Sequence, residues 1–336
     1  MSCNARSGWV TLFLGYQMST NRSFLKKLQH YVKFRLRLET LPIKKTYEQW
    51  AAKGYIQAPA ISFIIQCHNR SKSVSELVSQ LRAFKGAEII VLDDGSELSH
   101  NRKLSRLLTG ANEFLIRSND LYEIISYDRA IHFSRGTYVA LLQDDDGFED
   151  LRWIQDAITL FEQHPKLAIL GGRNGISLLP PDLTEDGVPG QWEYDGDTFK
   201  QLNVCKGVHV ASYGRDRGFR FVQLVNRAPM LLNKAHFEST LHHIDQSYAP
   251  VQWDDAELCL RAWLSGLEVG WYPVALRLGW YGKGGTRIWN NQLIERQNVV
   301  NGKRLYERYG CELVRIEQLV EKANWGLNYG SASKYE

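Results

Sequence analysis

The chain has 336 residues, 44% of them hydrophobic and 23% charged, with a formal net charge of +4 at pH 7. This length can bury a full hydrophobic core, and the composition is that of an ordinary globular protein rather than a disordered or membrane-spanning chain. The mild charge excludes the strongly basic surface of a nucleic-acid-binding protein, so we expect no nucleic-acid partner.

Cysteine usage indicates the compartment. The five cysteines are scattered along the chain, at Cys3, Cys67, Cys205, Cys259 and Cys311. Their odd number and the lack of C-x-x-C spacing argue against a disulfide framework and a zinc site, and favour a reducing environment. The apolar segment 9–16 is too short to span a bilayer and lacks the flanks of a signal peptide. We therefore predict a cytoplasmic protein.

Basic residues are concentrated near the N-terminus, with eight basic side chains and one acidic side chain between residues 22 and 45. Apolar residues at helical spacing predict a basic amphipathic helix over 24–38, within an N-terminal helical extension spanning 1–57. Two interpretations stay open. The segment 22–45 contacts an anionic membrane surface, which would place the protein peripherally at the inner face of the membrane. Alternatively, the helix packs on the body with a solvated basic face.

From residue 60 onward, apolar strands alternate with amphipathic helices. Strands are predicted at 60–67, 87–92, 113–117, 137–143 and 167–172, and helices at 73–84, 101–108, 122–134 and 150–164. This alternation predicts an α/β fold in which a mostly parallel sheet is covered by helices on both faces. After residue 175 the pattern is turn-rich. Order returns over 219–238, followed by a helix at 253–266, a strand at 267–273 and a mostly helical tail from 291 to 322.

Polar residues follow three of the predicted strands. They are Gln66, His68 and Asn69 after the first strand, Asp93 and Asp94 after the second, and Asp144, Asp145 and Asp146 after the fourth. Ligands of such sheets bind at the carboxyl ends of the strands, so these side chains predict one cleft.

The three consecutive acids Asp144–Asp146 need a positive partner, because adjacent carboxylates repel. Mg²⁺ and Mn²⁺ prefer carboxylate oxygens and share them with substrate phosphates, which predicts a divalent metal carrying a diphosphate. A calcium-binding loop is excluded, since its first and last ligands would be Leu142 and Trp153. Attraction of acids to the next helix N-terminus accounts for Asp150, but not for three acids at a strand end.

Four segments carry a resemblance to a known family: ISFIIQCHNR, IIVLDDGS, RGTYVALLQDDD and WDDAELCLRAWLSGLEVGWYP. In order and spacing, over residues 60–275, they resemble family 2 glycosyltransferases of the GT-A fold. The resemblance implies inverting transfer of one sugar from a nucleotide-diphosphate donor, with a UDP-sugar favoured, to a saccharide or lipid-linked saccharide. It also implies a GT-A domain over 58–290, with a nucleotide-binding half 58–175, an acceptor-binding half 176–290 and a helical tail 291–336.

The resemblance also assigns roles by position. Nucleotide contacts fall on Gln66, Cys67, His68, Asn69, Arg70, Asp93, Asp94, Asp144 and Asp145. The three acids match the D-x-D metal motif, but Gln143 stands where the family often has Asp. The main metal ligands are therefore either Asp144 with Asp146, or Asp145. In WDDAE, Asp255 matches the general base, and Asp254 stands in the place of the family's Glu.

Each assignment has a structural alternative. Asp93 and Asp94 could simply hold an Asx-type turn, and Asp254 and Asp255 could complement a helix N-terminus. Weaker candidates for ligand contacts are Arg117 and Arg129 on phosphate, Lys283 and Arg287 in the loop 281–287, and His242 and His243. The alternative for Arg117 and Arg129 is pairing with nearby acids. For the loop 281–287 it is a plain turn, and for the two histidines it is a solvated loop.

Sugar transfer from a nucleotide-diphosphate donor would use both acidic clusters, one for a base and one for a metal. A sugar hydroxyl needs a carboxylate to take its proton, and a leaving diphosphate needs a cation. Two rival functions are a sugar-nucleotide nucleotidyltransferase and a non-catalytic saccharide- or nucleotide-binding protein. The first usually needs a glycine-rich loop after the first strand, where this chain reads QCHNRSKS. The second would be expected to lose the metal acids or the base, and both are present.

Overall fold

The computed structural model describes residues 25–32, 56–178, 192–194, 199–201, 207–212, 214–227, 229–277 and 291–329. The predicted loop 281–287, with Lys283 and Arg287, lies outside the described residues. The chain separates into two compact units, Met1–Tyr55 and Ile56–Glu336. The division of the second unit into 58–175, 176–290 and 291–336 stays a prediction.

In the first unit, the structure describes one helix, α1, at residues 25–32. This helix lies within the predicted 24–38, and the rest of that range lies outside the described residues. Its apolar side chains, including Leu25 and Tyr31, are exposed. Across the described part of the chain, every helix is too short or too polar to traverse a lipid bilayer.

The second unit begins with the predicted alternation of strands and helices. Its first elements are β1 Ile61–Cys67, α2 Ser71–Leu81, β2 Ala87–Asp94, α3 Leu98–Leu107, β3 Glu113–Ser118, α4 Tyr122–Phe133, β4 Tyr138–Gln143, α5 Arg152–Gln163 and β5 Leu167–Gly171. The strands β1, β2, β4 and β5 are almost entirely buried, as expected for apolar strands covered by helices on both faces.

The following region adds shorter strands. They are β6 Asn174–Leu178, β7 Trp192–Tyr194, β8 Phe199–Gln201, β9 Gly207–Ser212, β10 Arg220–Phe221, β11 Leu224–Val225 and β12 Met230–Asn233. A helical turn Lys234–His236, a π-helix Phe237–Leu241 and a 3₁₀ turn Gln246–Tyr248 come next. The chain then forms α6 Asp254–Leu264, β13 Glu268–Trp271, α7 Asn291–Tyr309, a 3₁₀ turn Gly310–Glu312 and α8 Leu313–Tyr329.

Eight strands form the central sheet, in the order β10-β13-β5-β12-β4-β1-β2-β3. β12 is antiparallel to both of its neighbours and β10 is antiparallel to β13, whereas the other pairs are parallel. The predicted mostly parallel α/β sheet flanked by helices is therefore confirmed. Two smaller sheets, β11-β6-β9 and β7-β8, are added to it.

The register of the sheet aligns the polar strand ends. Cys67 at the end of β1 lies beside Asp93 of β2, and Gln66 lies beside Gln143 at the end of β4. Because these three strands are parallel, the residues that follow them emerge at one edge of the sheet. This edge is where the cleft was predicted.

Candidate active site

The turn after β1 contacts the first acid after β4. The backbone N–H of His68 donates to Asp144 Oδ2 at 3.2 Å, and Arg70 Nε lies 4.0 Å from Asp144 Oδ1. Asp144 is 4% exposed. This carboxylate therefore joins β1 to β4, in addition to any role toward a ligand.

The same turn is linked to the end of β2. Asn69 has a left-handed backbone, with φ of 58°. Its N–H donates to Ser96 Oγ at 2.8 Å, and its Oδ1 accepts from the Glu97 N–H at 2.7 Å. Cys67 is fully buried, and burial raises the pKa of its thiol to about 12. The thiol is thus a neutral packing group, and a nucleotide contact at Cys67 would have to come from its backbone.

Asp93 and Asp94 are both buried and hold turns. Asp93 accepts from the Ser96 N–H at 3.1 Å and from Asn101 Nδ2 at 2.7 Å. Asp94 accepts from Ser118 Oγ at 2.9 Å and from the N–H groups of Leu121 and Tyr122, at 3.0 and 2.9 Å. The turn-holding alternative is therefore realised in the structure, and the nucleotide-binding role of the pair stays a prediction.

The weaker candidates lie at the surface. Arg117 is exposed and donates through Nη2 to the Ser96 carbonyl at 3.1 Å, beside the turn after β2. Arg129, His242 and His243 are exposed as well. His242 Nδ1 lies 2.9 Å from the Glu238 carbonyl. These contacts match the solvated-loop alternative for the histidines.

One acid after β4, Asp146, has a strongly raised pKa. Burial raises the pKa of Asp146 to about 7, although the Gln143 N–H, 2.8 Å from Asp146 Oδ2, acts in the opposite direction. At the amino end of the sheet, by contrast, fully buried Glu88 is paired with Arg135 Nε at 2.7 Å. Glu88 thus has a guanidinium at hydrogen-bond distance, whereas at Asp146 burial outweighs the positive charge of Arg173.

The donor set limits what kind of metal site this cluster can form. No three His, Cys, Asp or Glu side chains in the described ranges are arranged to hold a metal ion. Carboxylate oxygens suit Mg²⁺ or Mn²⁺, which usually take only one or two protein carboxylates and complete their shell with phosphates and water. The residues present therefore fit a cation shared with a diphosphate, and do not fit a closed structural metal site.

The second acidic cluster begins α6, where its two members differ. Asp254 is 2% exposed and forms an ion pair with Arg227 Nη2. Asp255 is half-buried, and its Oδ1 accepts from the Ala256 N–H at 2.9 Å. Asp254 is therefore held in a buried ion pair, and its predicted catalytic role stays a prediction, whereas the Asp255 carboxylate forms no ion pair within 4.0 Å among the described residues.

Sequence reasoning did not identify Arg227, which is 7% exposed. Its Nη1 lies 3.1 Å from Glu123 Oε2 of α4, and its Nη2 pairs with Asp254 of α6. Burial acts to lower the pKa of this guanidinium, but the carboxylates of Glu123 and Asp255 outweigh burial and leave the pKa raised. A lone arginine before a short strand offers no local signal, because both partners are distant in sequence.

Tyr127 connects the two acidic clusters. Its hydroxyl donates to the Leu142 carbonyl of β4 at 2.6 Å, and Arg227 Cζ lies 5.1 Å from its ring centroid. Burial raises the pKa of Tyr127 well above its ordinary value, and the negative charges of Asp146 and Asp144 act in the same direction. Tyr127 therefore contacts the end of β4 directly and the start of α6 through Arg227, which pairs with Asp254.

The mostly parallel central sheet flanked by helices has the architecture of the GT-A fold. Residues 62–222 match the family model described as glycosyl transferase family 2. The chain thus carries a family 2 glycosyltransferase domain and is a glycosyltransferase, as the resemblance implied.

Comparison with solved structures supports the fold through the first of the following three. The mannosyltransferase PcManGT from Pyrobaculum calidifontis, in complex with GDP-Man and Mn²⁺, aligns with a TM-score of 0.50 and 13% identity, over 85% of this chain and 78% of that chain. S. aureus TarS 1-349 aligns with a TM-score of 0.43 and 15% identity, over 63% of this chain and 60% of that chain. S. aureus TarS 1-349 in complex with UDP-GlcNAc aligns with a TM-score of 0.44 and 14% identity, over 64% of this chain and 57% of that chain. Curated protein sequences give no match.

Proposed function

We propose that the protein transfers one sugar from a nucleotide-diphosphate sugar to an acceptor hydroxyl, with inversion at the anomeric carbon. The observation that carries this proposal is the difference between the two acids that begin α6. Asp254 is committed to Arg227, whereas Asp255 keeps a half-buried carboxylate beside the same guanidinium.

Asp255 acts as the general base in this proposal. A half-buried carboxylate at a helix start can accept the proton of an acceptor hydroxyl as the oxygen attacks the anomeric carbon. Arg227 and Asp254 hold the start of α6 in place, so the carboxylate meets the acceptor with little reorganisation. The leaving nucleoside diphosphate departs on the other side of the anomeric carbon, which accounts for inversion.

The acids after β4 would hold Mn²⁺ or Mg²⁺ together with the donor diphosphate. Asp144 already accepts from the His68 N–H and Asp146 from the Gln143 N–H, whereas the Asp145 carboxylate accepts no hydrogen bond from the described residues. We therefore propose Asp145 as the main ligand, with Asp144 and Asp146 supporting it. When bound, the cation offsets the charge that develops on the leaving diphosphate.

This ligand assignment predicts a selective loss of metal binding. Asp145→Asn should weaken Mn²⁺ affinity by about tenfold or more, which corresponds to about 1.4 kcal/mol. Thermal unfolding at increasing Mn²⁺ concentration, with a nucleotide sugar present, measures this change. Glu149→Gln is the matched control, because it removes an exposed acid from the same segment. Equal Mn²⁺ dependence in the two variants would contradict the assignment of Asp145.

The donor class can be identified by thermal unfolding against UDP-, GDP-, dTDP- and CMP-sugars, with and without Mn²⁺. A ligand that binds only the native state at a hundredfold excess over its Kd should stabilise it by about 2.7 kcal/mol. We expect a metal-dependent rise in midpoint for one nucleotide, with a UDP-sugar favoured. A panel without any rise would contradict the proposed donor site and favour a non-catalytic role.

The acceptor is proposed to be a saccharide or a lipid-linked saccharide, in polysaccharide or glycoconjugate synthesis. A cytoplasmic location, with contact to an anionic membrane through residues 22–45, would bring the enzyme to a lipid-linked acceptor. The basic composition of that segment supports this part of the proposal. Retention by anionic liposomes at low salt, where charge attraction is strongest, would test it.

A further inference from the structure

We propose that Asn301 of α7 is a positioning residue for sugar transfer, because its side-chain amide holds the backbone that presents Asp255. The proposal rests on the assignment of Asp255 as general base. It adds a residue from the C-terminal helices, outside the motifs that carry the family resemblance.

The backbone that leads into α6 has an unusual conformation. Gln252 and Trp253 both have left-handed backbones, with φ of 78° and 70°. Side chains other than glycine rarely adopt this region, so two consecutive cases need support from their surroundings. The Trp253 carbonyl accepts the first helical hydrogen bond of α6, from the Glu257 N–H at 2.9 Å. The conformation of this segment therefore sets where α6 begins, and so it sets the position of Asp255.

Asn301 provides support at the centre of this segment. It is fully buried, and its Nδ2 lies 2.6 Å from the Tyr248 carbonyl, 2.9 Å from that of Val251 and 3.0 Å from that of Gln252. A primary amide has two N–H groups, so these three carbonyls share both of its donors. One side chain thus gathers three carbonyls from the five residues before Trp253.

The orientation of the Asn301 amide is itself determined by neighbours. Its Oδ1 accepts from Gln297 Nε2 at 3.0 Å and from Arg304 Nη1 at 2.8 Å. Both neighbours can only donate to this oxygen through these atoms, so the Nδ2 end must face the carbonyls. The amide is therefore held in one orientation before a substrate binds.

A second contact holds the same segment from α7. Trp253 Nε1 donates to Asn298 Oδ1 at 2.5 Å. The left-handed segment is thus bound to α7 both through its backbone and through the side chain of its last residue. A displacement of this segment would move Asp255 relative to the acceptor hydroxyl, and a misplacement of about 1 Å can lower a rate by about 10²-fold.

A matched control separates positioning from general stability. Asn324 of α8 also holds the body of the protein, with Nδ2 2.9 Å from the Phe221 carbonyl and Oδ1 3.0 Å from the Phe221 N–H. Phe221 belongs to β10, the outermost strand of the sheet. Asn324→Ala therefore also removes an amide contact from a C-terminal helix to the backbone of the body, at β10 rather than at the segment before α6.

The experiment measures nucleotide release from UDP-glucose, GDP-mannose and dTDP-glucose, each tested separately with Mn²⁺ and with water as the acceptor. Asn301→Leu should lower the rate at saturating donor by about 10- to 100-fold, with unchanged donor KM and donor-induced thermal shift. Asn301→Ser, which keeps one donor, should recover part of the rate. Asn324→Ala should keep the wild-type rate per folded molecule.

Two results would overturn the proposal: equal rates per folded molecule in Asn301→Leu and Asn324→Ala, or a loss confined to KM. If Asn301→Leu does not fold, Trp253→Phe removes only the indole donor, and a smaller fall in the saturated rate is expected. Asp255→Asn is measured in parallel. A wild-type rate in Asp255→Asn would reject the proposed base. If Asp255→Asn is inactive and Asn301→Leu keeps the wild-type rate, only the positioning role is rejected.

Discussion

Asp255→Asn should lower the rate of sugar transfer by about 10²- to 10⁴-fold, the usual contribution of a general base. The amide has nearly the size of the carboxylate and can still accept from the Ala256 N–H through its oxygen, so the start of α6 should be preserved. An amide does not take up the proton of the attacking hydroxyl. Donor binding, measured as the metal-dependent thermal shift, should therefore remain while turnover is lost.

Asp254→Asn is the natural comparison, because it changes the adjacent acid in the same way. Asp254 is buried against Arg227, so its neutralisation should weaken folding and leave the base in place. Among molecules that remain folded, we expect Asp254→Asn to retain more activity than Asp255→Asn. The reverse order, or full activity in Asp255→Asn, would assign the base to a different carboxylate.

Much of the fold could be predicted because its strands are covered on both faces. β1 and β4 are continuous apolar runs, and their burial leaves little choice of element or direction. The strand ends could be predicted for the same reason, since the apolar run of β4 stops at Gln143 and three acids follow. Local sequence is informative here because each strand reaches the cleft edge at the residue where its apolar character ends.

The partners of the acids could not be predicted, because they depend on contacts between distant segments. Asp93 and Asp94 look equally available in the sequence, yet each is bound by a different turn. The family resemblance separated Asp254 from Asp255 by position, but it gave no sign that Arg227 pairs with Asp254. A charge pattern identifies where acids are concentrated, but only tertiary contacts decide which of them serve the fold.

The described acids fall into two groups by their counter-charges. Glu88 and Asp254 have a guanidinium supplied by the chain, whereas Asp146 has a raised pKa because burial outweighs the positive charge near it. A structural acid left in this state would reduce stability with no compensation. We propose that the raised pKa of Asp146 reflects a binding role, in which a cation and its diphosphate would supply the missing positive charge.

Arg227→Met should destabilise the protein by about 3–5 kcal/mol, because it leaves the carboxylates of Glu123 and Asp254 without their buried partner. Methionine fills a similar volume and keeps apolar contact with Tyr127, so most of the loss should come from charge. Urea unfolding of the two proteins measures the difference. Arg152→Met is the matched control, since the Arg152–Asp150 pair is exposed and its removal should leave the unfolding midpoint unchanged.

A second substitution distinguishes unpaired charge from lost packing. Adding Asp254→Asn to Arg227→Met removes one of the stranded carboxylates, so the double variant should be more stable than Arg227→Met alone. If the losses of unfolding free energy in Arg227→Met and Asp254→Asn simply add, the destabilisation by Arg227→Met comes from packing on Tyr127 rather than from the ion pairs. If recovery is seen, the guanidinium is the element that lets two acids from α4 and α6 be buried together, directly beside the carboxylate proposed to act as the base.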